Sequence, residues 1–330
     1  MKVSVILPFF NAEDSLDAAV RSMLEQTFTD IELLLVDNMS SDRSGDLARK
    51  WAAIDQRVVL LEERQEGVAQ AMNRGIQAAN GQYIARMDAD DVSHPDRIER
   101  QVRFLDENPD VGVLATQVEF QSELEHHDGY QHYVDWQNAL LSHEQMAAKR
   151  FVDAPLVQPT TMFRKEVFAE HGLYNSGPVP EDFEMWLRLF HAGVRFAKLP
   201  EVLFTWNDSL GRLSRSHSNF SSESFDRCKA DWMARFMTEK HQGRGVVALG
   251  TSSLCRKRAS ALHQRGVDIN AFSDVSGRRV EGFAFIEPEE LCAGEDLIVS
   301  FISQRGTGDR IQSFLESKAL VEGTDFLIGA

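Results

Sequence analysis

The chain has few cysteines and no long apolar run, the features that are typical of disulfide-bonded, zinc-binding and membrane-spanning proteins. Its three cysteines, Cys228, Cys255 and Cys292, are too few and too scattered for a disulfide framework or a cysteine-rich zinc site. No apolar run approaches the roughly 20 residues that are needed to span a bilayer. Met1 and Lys2 lead directly into a strand-like segment, which predicts no secretory signal. We therefore expect a reduced, cytoplasmic setting.

Basic residues are also scarce. The chain has 35 Lys and Arg against 51 Asp and Glu, and its formal net charge is −16. A nucleic-acid-binding protein would carry a basic surface, so no nucleic-acid partner is expected. The same charge disfavours broad adhesion to anionic lipid but leaves room for a local, peripheral contact with a membrane. At 330 residues, with 43% hydrophobic and 26% charged residues, the chain is long enough for two globular domains.

What the chain does have is an alternation of strand-like and helix-like segments that begins at residue 3. Residues 3–7 are apolar and β-branched and are followed by Pro8, as expected for a buried parallel strand that ends there. Asn11 is predicted to cap the next helix. Further strand-like runs lie at residues 31–36, 58–61 and 83–85. The alternation predicts an α/β fold with a mostly parallel sheet covered on both faces.

Polar clusters follow three of these strands. They lie at residues 8–11, 37–41 and 88–91, and ligands of such sheets bind at the carboxyl ends of the strands. Asp88 and Asp90 stand two apart, and carboxylates this close repel one another unless a cation lies among them. Carboxylate and diphosphate oxygens suit Mn²⁺ or Mg²⁺ rather than zinc. The alternative is a solvated acidic loop that caps the helix after it.

Several ordered motifs carry a resemblance to a known family. They are VILPFFNAE at 5–13, LVDNMSSD at 35–42, GVAQAMNRG at 67–75, and ARMDADD at 85–91 followed by HPDR at 94–97. Together they resemble the family 2 glycosyltransferases, from residue 1 to about residue 110. The resemblance implies a GT-A fold and inverting transfer of a sugar from a nucleotide-sugar donor, with a UDP-sugar as the expected donor.

The resemblance also implies roles for individual residues. It places the following residues in the nucleotide pocket: Pro8, Phe9, Asn11, Asp37, Ser40, Asn73, Arg86 and Asp88. Asp90, together with Asp88, would bind the Mn²⁺ or Mg²⁺ ion that bridges the diphosphate. Ordinary structural roles stand beside these, because Pro8 could simply end a strand and Asn11 could simply cap a helix.

A second acidic motif lies in the middle of the chain. Residues 180–189, PEDFEMWLRL, resemble the family motif that carries the catalytic base, which points to Asp182 with Glu181 beside it. Inverting transfer needs one carboxylate to take the proton of the acceptor hydroxyl. On a helix Asp182 would share a face with Trp186, on which an acceptor ring could stack. The alternative is that either acid only caps the helix.

The segment after this motif departs from the family pattern. Residues 211–215, GRLSR, resemble the loop that closes over the diphosphate, with Arg212 and Arg215 as phosphate contacts. Gln158, Asn207 and Ser209 stand where relatives often carry His, Arg and His. These departures leave the third metal ligand open, with Asp208 or His217 as substitutes.

The last ninety or so residues predict a separate small domain, 241–330, behind a glycosyltransferase domain, 1–240. Strand-like segments lie at residues 246–249, 269–272, 296–301 and 323–328. They resemble a Rossmann-like appendage of some bacterial family 2 enzymes. A dinucleotide loop needs three glycines, of which only Gly250 is present, although Asp274 stands where a ribose-binding acid would be. We expect this domain to be structural, or a docking unit, without a dinucleotide.

Two functions of different classes follow from the sequence. The first is a metal-dependent inverting glycosyltransferase that moves a sugar to a saccharide, lipid-linked or protein acceptor in bacterial surface glycan assembly. The second is a non-catalytic module that binds a nucleotide-sugar or a partner, which the departures at Gln158, Asn207 and Ser209 would favour. A sugar-nucleotide pyrophosphorylase is a weaker rival, because its glycine-rich amino-terminal loop is missing.

Overall fold

The computed structural model describes residues 1–122, 128–208, 217–241, 243–294, 296–304 and 306–329. The chain packs as two compact units. One unit comprises Met1–Met146, Pro155–Met185 and Ala192–His217, and the other comprises Ala147–Ala154, Trp186–His191 and Ser218–Ala330. Among the described residues, no helix is both long enough and apolar enough to cross a membrane.

The elements are numbered here in chain order. The strands are β1 (Val3–Phe9), β2 (Ile31–Asp37), β3 (Val58–Glu62), β4 (Tyr83–Arg86), β5 (Val92–Ser93), β6 (Val111–Gln121), β7 (Met162–Arg164), β8 (Arg195–Asn207), β9 (Val246–Leu249), β10 (Ile269–Ser273), β11 (Ala284–Phe285), β12 (Leu297–Ser300) and β13 (Phe326–Ile328). The helices are α1 (Leu16–Leu24), α2 (Ser44–Ile54), α3 (Val68–Ala78), α4 (Arg97–Glu107), α5 (Asp128–Asn138), α6 (His143–Lys149), α7 (Lys165–His171), α8 (Glu181–His191), α9 (Ser222–Lys240), α10 (Ser253–His263) and α11 (Thr307–Glu316).

The first unit is built on a mixed sheet with the strand order β3-β2-β1-β4-β7-β6-β8-β5. Strands β3, β2, β1 and β4 are parallel, whereas β7 is antiparallel to both of its neighbours. All seven residues of β1 are buried, as is expected when helices cover both faces of a parallel sheet. The predicted α/β fold with a mostly parallel sheet is confirmed.

Pro8 lies inside β1 and does not end it. The strand continues to Phe9, and Pro8 pairs with Val36 of β2. On the other side of β1 the pairing with β4 stops at Ile6 and Arg86. Pro8 therefore lies beyond the end of the hydrogen-bonded pairing between β1 and β4. Its missing N–H does not interrupt that pairing, which is why a central strand tolerates a proline here. The prediction that the strand ends at Pro8 is wrong.

The acidic loop follows β4 at the carboxyl edge of the parallel strands. Its far end is fixed by β5, which pairs antiparallel with β8 through Val92 and Thr205. Strand β8 ends at Asn207, two residues beyond that pairing. The topology therefore brings the end of β8 next to a loop that lies more than a hundred residues earlier in the chain.

The second unit contains a five-stranded parallel sheet with the order β11-β10-β9-β12-β13. Counted from β9, this is the order 3-2-1-4-5 of doubly wound dinucleotide-binding folds, as predicted for a Rossmann-like domain. Helix α9 packs on α10 within this unit, whereas the sequence placed residues 222–240 at the end of the first domain. The division into domains 1–240 and 241–330 stays a prediction.

Candidate functional site

Asn11 joins the loops that follow β1 and β2. Its Oδ1 accepts hydrogen bonds from the backbone N–H of Ser41 at 2.8 Å and of Asp42 at 3.4 Å, and its own N–H donates to Ser40 Oγ at 3.1 Å. Asn11 has a φ of 49°, a left-handed conformation in which asparagine is enriched. Helix α1 begins five residues later, after Ser15. The predicted helix cap at Asn11 is therefore wrong, and Asn11 and Ser40 instead fix two loops at the predicted nucleotide edge.

Asp37 ends β2 beside these loops. One of its carboxylate oxygens accepts a hydrogen bond from the Ser40 N–H at 2.9 Å. The other oxygen lies over Gly45, where an added Cβ would come within 3.1 Å of it. Asp37 is half-buried, and the glycine leaves room around its carboxylate. The structure thus places Asp37 at the same edge as Asn11.

Of the two adjacent phenylalanines, the structure exposes the second. Phe9 is only 3% exposed and belongs to the hydrophobic core, whereas Phe10 is 57% exposed. The prediction that the Phe9 side chain lines the nucleotide pocket is therefore wrong, and the buried Pro8 likewise offers no open face there. The signal that could have found Phe10 is the alternation of strand side chains, because an inward-facing Phe9 turns its neighbour outward.

Asn73 holds a distant loop. Its Nδ2 donates to the Tyr174 carbonyl at 2.9 Å, and its Oδ1 accepts from the Tyr174 N–H, also at 2.9 Å. These two bonds fix a loop that lies 101 residues further along the chain. The predicted contact of Asn73 with the nucleotide stays a prediction.

Arg86 is buried and acts on Asp88. Its guanidinium donates to Asp88 Oδ1 from Nη2 at 2.7 Å and from Nε at 3.0 Å. Arg86 is 4% exposed, whereas the Asp88 side chain is 25% exposed. A buried cation with a two-point contact fixes a carboxylate firmly. Arg86 therefore orients Asp88, and its predicted contact with the nucleotide stays a prediction.

Three carboxylates of the acidic loop come together. One oxygen each from Asp88, Asp90 and Asp91 lies within 4.8 Å of the other two. This donor set fits a hard divalent cation, because Mg²⁺ and Mn²⁺ prefer oxygen ligands. Asp91, which is 1% exposed, belongs to the acidic cluster at residues 88–91 but was not among the predicted metal ligands.

Asn207 holds this loop in place. Its N–H donates to Asp91 Oδ1 at 2.9 Å, and its side-chain Nδ2 donates to the Asp90 carbonyl at 2.8 Å. Asn207 was one of the departures from the family pattern, and the structure gives it a positive role. Asp208, the predicted substitute ligand, instead accepts a hydrogen bond from Ser122 Oγ at 3.0 Å.

The second acidic motif begins α8 close to the first. Glu181 is 5% exposed, and burial raises its pKa to about 8, with repulsion from Asp182 as the next cause. Arg86 opposes this shift and Asp88 adds to it, so the two motifs lie within electrostatic reach of each other. Asp182 is half-buried and accepts a hydrogen bond from the Phe183 N–H at 2.7 Å. Burial and the Asp182 charge therefore favour the protonated form of Glu181, whereas Asp182 is partly open to solvent.

The raised pKa of Glu181 has a consequence for stability. The unfolded chain releases this proton near pH 4.5, so between pH 4.5 and about 8 the folded state holds a proton that the unfolded state lacks. Stability therefore falls as the pH rises through this window. Glu181→Gln cannot ionise, so its unfolding free energy relative to wild type should rise between about pH 5 and about pH 8. Denaturant unfolding at both pH values measures this, with exposed Glu107→Gln as the control. Parallel curves for Glu181→Gln and wild type would show that Glu181 is ionised in the folded protein.

The structure describes only one of the predicted acceptor and phosphate contacts, Trp186. Trp186 is fully buried, so its ring has no open face on which an acceptor could stack, and that prediction is wrong. The helical face was assigned correctly, but packing against the core covers it. Arg212, Arg215 and Ser209 lie outside the described residues. Gln158 is 7% exposed, and His217 is exposed.

The loop after β9 in the second unit is joined to Asp274 by hydrogen bonds within the protein. Asp274 Oδ2 accepts from the N–H of Thr251 at 2.9 Å and from its Oγ1 at 2.7 Å, while Oδ1 accepts from the N–H and Oγ of Ser276 at 2.8 and 2.5 Å. Both oxygens are thus used within the protein. The Sγ of Cys255 lies 2.6 Å from where a Cβ of Gly250 would be, so a side chain already fills the space beside the one glycine.

Because of this arrangement, the full-length protein should not bind NAD(H) or NADP(H). A ribose-binding acid must have an oxygen free for the hydroxyl groups, and the pyrophosphate must approach the loop backbone closely. Titration of NADH or NADPH, followed by the fluorescence of the reduced nicotinamide, should show no saturation at micromolar concentration. Saturable binding that is lost in Asp274→Ala would overturn this reading.

The fold and the site define a class of protein. A mixed α/β sheet carries an acidic loop at its carboxyl edge, and a helix that begins with two acids approaches that loop; this edge is where such folds bind nucleotides. The profile of glycosyl transferase family 2 matches residues 4–172 of the chain. The chain belongs to this family, and it is a glycosyltransferase.

Relatives and solved structures agree with this assignment. The chain is 28% identical to the amylovoran biosynthesis glycosyltransferase AmsE of Erwinia amylovora, over 61% of this chain and 74% of the relative. Its structure is similar to S. aureus TarS 1–349 in complex with UDP-GlcNAc, with a TM-score of 0.54 and 15% identity, over 72% of this chain and 73% of that one. It is also similar to the mannosyltransferase PcManGT of Pyrobaculum calidifontis in complex with GDP-Man and Mn²⁺, with a TM-score of 0.51 and 16% identity, over 80% and 73%. These structural likenesses confirm the GT-A fold.

Proposed function

We propose that this protein is a metal-dependent inverting glycosyltransferase that uses a nucleotide-sugar donor, with a UDP-sugar as the first candidate. The observation that carries the proposal is the approach of two acidic motifs, one with three clustered carboxylates and one with a half-buried Asp182 beside a buried Glu181 whose pKa is raised. Donors in similar structures support the choice, because TarS binds UDP-GlcNAc and PcManGT binds GDP-Man. The name of AmsE, an amylovoran biosynthesis glycosyltransferase, supports a role in glycan biosynthesis.

The acidic loop would hold a divalent cation on the donor side. Asp88, Asp90 and Asp91 supply the oxygen ligands, Arg86 orients the first of them, and Asn207 holds the other two. A bound Mn²⁺ or Mg²⁺ supplies neutralisation of the charge that develops on the leaving diphosphate. Arg86 and Asn207 already fix the conformation of the acidic loop. The loop therefore needs little further ordering when the cation and the nucleotide bind.

Asp182 would act as the base. It takes the proton of the acceptor hydroxyl while the acceptor oxygen forms a bond to the anomeric carbon and the bond from that carbon to the diphosphate oxygen breaks. The raised pKa of Glu181 favours its protonated form, which adds no second charge next to the base. The nucleoside diphosphate leaves on the face opposite the acceptor, which inverts the anomeric centre.

Phe10 would contact the nucleotide. An aromatic ring that is 57% exposed, next to Asn11 and the Ser40 loop, offers an apolar face to a base at low entropic cost. Phe10→Ala should therefore weaken nucleoside diphosphate binding by about tenfold without lowering the melting temperature, given the usual worth of base–aromatic stacking. Phe9→Ala should lower the melting temperature, because it opens a cavity in the core, and should leave nucleoside diphosphate binding nearly unchanged. Calorimetric titration and thermal unfolding of both variants separate the two roles.

A donor-hydrolysis screen tests the proposal. UDP-, GDP- and dTDP-sugars are incubated with the full-length protein with and without Mn²⁺, and nucleotide release is measured. We expect release from one nucleotide class that depends on Mn²⁺ and is lost in Asp182→Asn. Binding of a nucleotide-sugar without any release, with or without metal, would instead favour the non-catalytic binding module.

A further inference from the structure

Asn73 lies on a helix that is held firmly in the first unit. Helix α3 begins after Gly67, whose N–H donates to Asn38 Oδ1 at 2.8 Å, and Asn38 directly follows the carboxyl end of β2. Gly75 lets α3 lie close against β1, because a Cβ added at this glycine would overlap the side chain of Ile6. Asn73 therefore has a fixed position relative to the edge of the sheet that is predicted to hold the nucleotide.

From this position Asn73 reaches the loop between α7 and α8, residues 172–180, which leads directly to Asp182. Its amide donates to the Tyr174 carbonyl and accepts from the Tyr174 N–H, both at 2.9 Å. Two facing residues of antiparallel strands exchange the same pair of bonds. The side chain of Asn73 thus takes the place of a neighbouring strand, and it fixes both the position and the orientation of the Tyr174 backbone.

The side chain of Tyr174 lies near both acidic motifs. It is 3% exposed, and its ring centroid is 6.3 Å from that of Phe168. Burial raises the pKa of the Tyr174 hydroxyl, and the charge of Arg86 opposes this shift. The carboxyl groups of Asp182 and Glu181 add to the shift. Tyr174 is therefore within electrostatic reach of the arginine that orients the acidic loop and of the two acids that begin α8.

We propose that Asn73 is a positioning residue for the base, and that through Tyr174 it holds the start of α8, with Asp182, at a fixed place beside the acidic loop. The inference rests on the proposed glycosyl transfer and adds a residue that acts through the protein rather than through the nucleotide. The base must meet the acceptor hydroxyl while that oxygen faces the anomeric carbon, and a misplacement of about 1 Å can cost about 10²-fold in rate. Turnover, and not donor binding, should therefore depend on Asn73.

Kinetics of Asn73→Ala in the full-length protein, with the active donor and Mn²⁺, test the proposal. We expect kcat to fall by about tenfold to a hundredfold, while the donor KM and the Kd of the nucleoside diphosphate stay within about twofold of wild type. Asn80→Ala is the matched control, because it removes a side-chain hydrogen bond to Glu32 in the same unit, near the amino end of β4. Its kcat should stay near that of wild type, and an equal fall in this control would overturn the proposal.

The double variant of Asn73→Ala with Asp182→Asn shows whether Asn73 acts through the base. Without a base its position no longer matters, so the double variant should turn over as slowly as Asp182→Asn alone. Losses that multiply would show two independent effects and would overturn the proposal. Normal kcat in Asn73→Ala beside an impaired Asp182→Asn overturns this inference alone, whereas near-wild-type turnover of Asp182→Asn overturns the proposed base together with it.

Hydrogen exchange of the Tyr174 amide measures the contact without catalysis. Exchange should be about tenfold or more faster in Asn73→Ala than in wild type, and it should be unchanged in Asn80→Ala. If Asn73→Ala does not fold, Asn73→Asp takes its place in each assay, because it keeps an acceptor for the Tyr174 N–H and loses only the donor to the carbonyl. Weaker nucleoside diphosphate binding with unchanged kcat, in whichever variant is used, would show a nucleotide contact and overturn the proposal.

Discussion

Asp182→Asn should lower turnover by about 10² to 10⁴, which is the usual contribution of general-base catalysis, while donor binding stays near normal. The amide keeps the shape of the side chain and its acceptor oxygen for the Phe183 N–H, so α8 should begin as before. What is lost is the ability to accept a proton from the acceptor hydroxyl. Steady-state kinetics with the active donor, together with calorimetric titration of the nucleoside diphosphate, separate the chemical step from binding.

Glu181→Gln is the matched control for this experiment. It is the same chemical change at the neighbouring position, but burial raises the pKa of Glu181, so the amide resembles the protonated carboxyl that burial favours. We expect a much smaller loss of turnover. If Glu181→Gln is the more damaging change, or if Asp182→Asn keeps near-wild-type turnover, then Asp182 only begins the helix and the base is elsewhere.

Asp90→Ala should weaken nucleoside diphosphate binding in the presence of Mn²⁺ by at least about tenfold to a hundredfold, the range seen when even outer partners of a metal ligand are removed. The variant leaves two carboxylates, of which Arg86 already occupies one oxygen of Asp88. Asp91 is held by the N–H of Asn207. Neither residue is therefore placed to replace the lost ligand.

EDTA provides the cross-check for the metal. It should weaken nucleotide binding by the wild type to about the level of Asp90→Ala, and it should have little further effect on that variant. Exposed Asp309→Ala, which removes the same charge in the second unit, should behave like wild type. Unchanged wild-type affinity in EDTA, measured by calorimetry, would remove the metal from the mechanism.

Much of the fold could be predicted because its signals are local. The apolar runs at residues 3–7 and 31–36 became β1 and β2, since a parallel strand that is buried on both faces must be apolar at every position. The order of the strand and helix segments was sufficient to predict the α/β class in both units. The acidic pair at Asp88 and Asp90 was also visible, because two carboxylates so close in sequence must be close in space.

Contacts between distant segments could not be read in this way. Asn73 and Tyr174 are 101 residues apart, and Asp91 and Asn207 are 116 apart, so nothing near either residue predicts its partner. The sequence therefore predicted Asn73 as a nucleotide contact, and it presented Asn207 as the loss of a residue that relatives often carry. In the structure, Asn73 is a clamp on another loop and Asn207 holds the acidic loop.

The sequence by itself determined the α/β class, the family and which segments carry the acids, because those depend on residue type and on short-range order. Only the tertiary structure decided which side chains face the site. It buried Phe9 and Trp186, exposed Phe10, and added Asp91 to the carboxylate cluster. The physical reason is that the direction of a side chain is set by the register of its strand and by what packs against its helix, and both depend on residues far away in the chain.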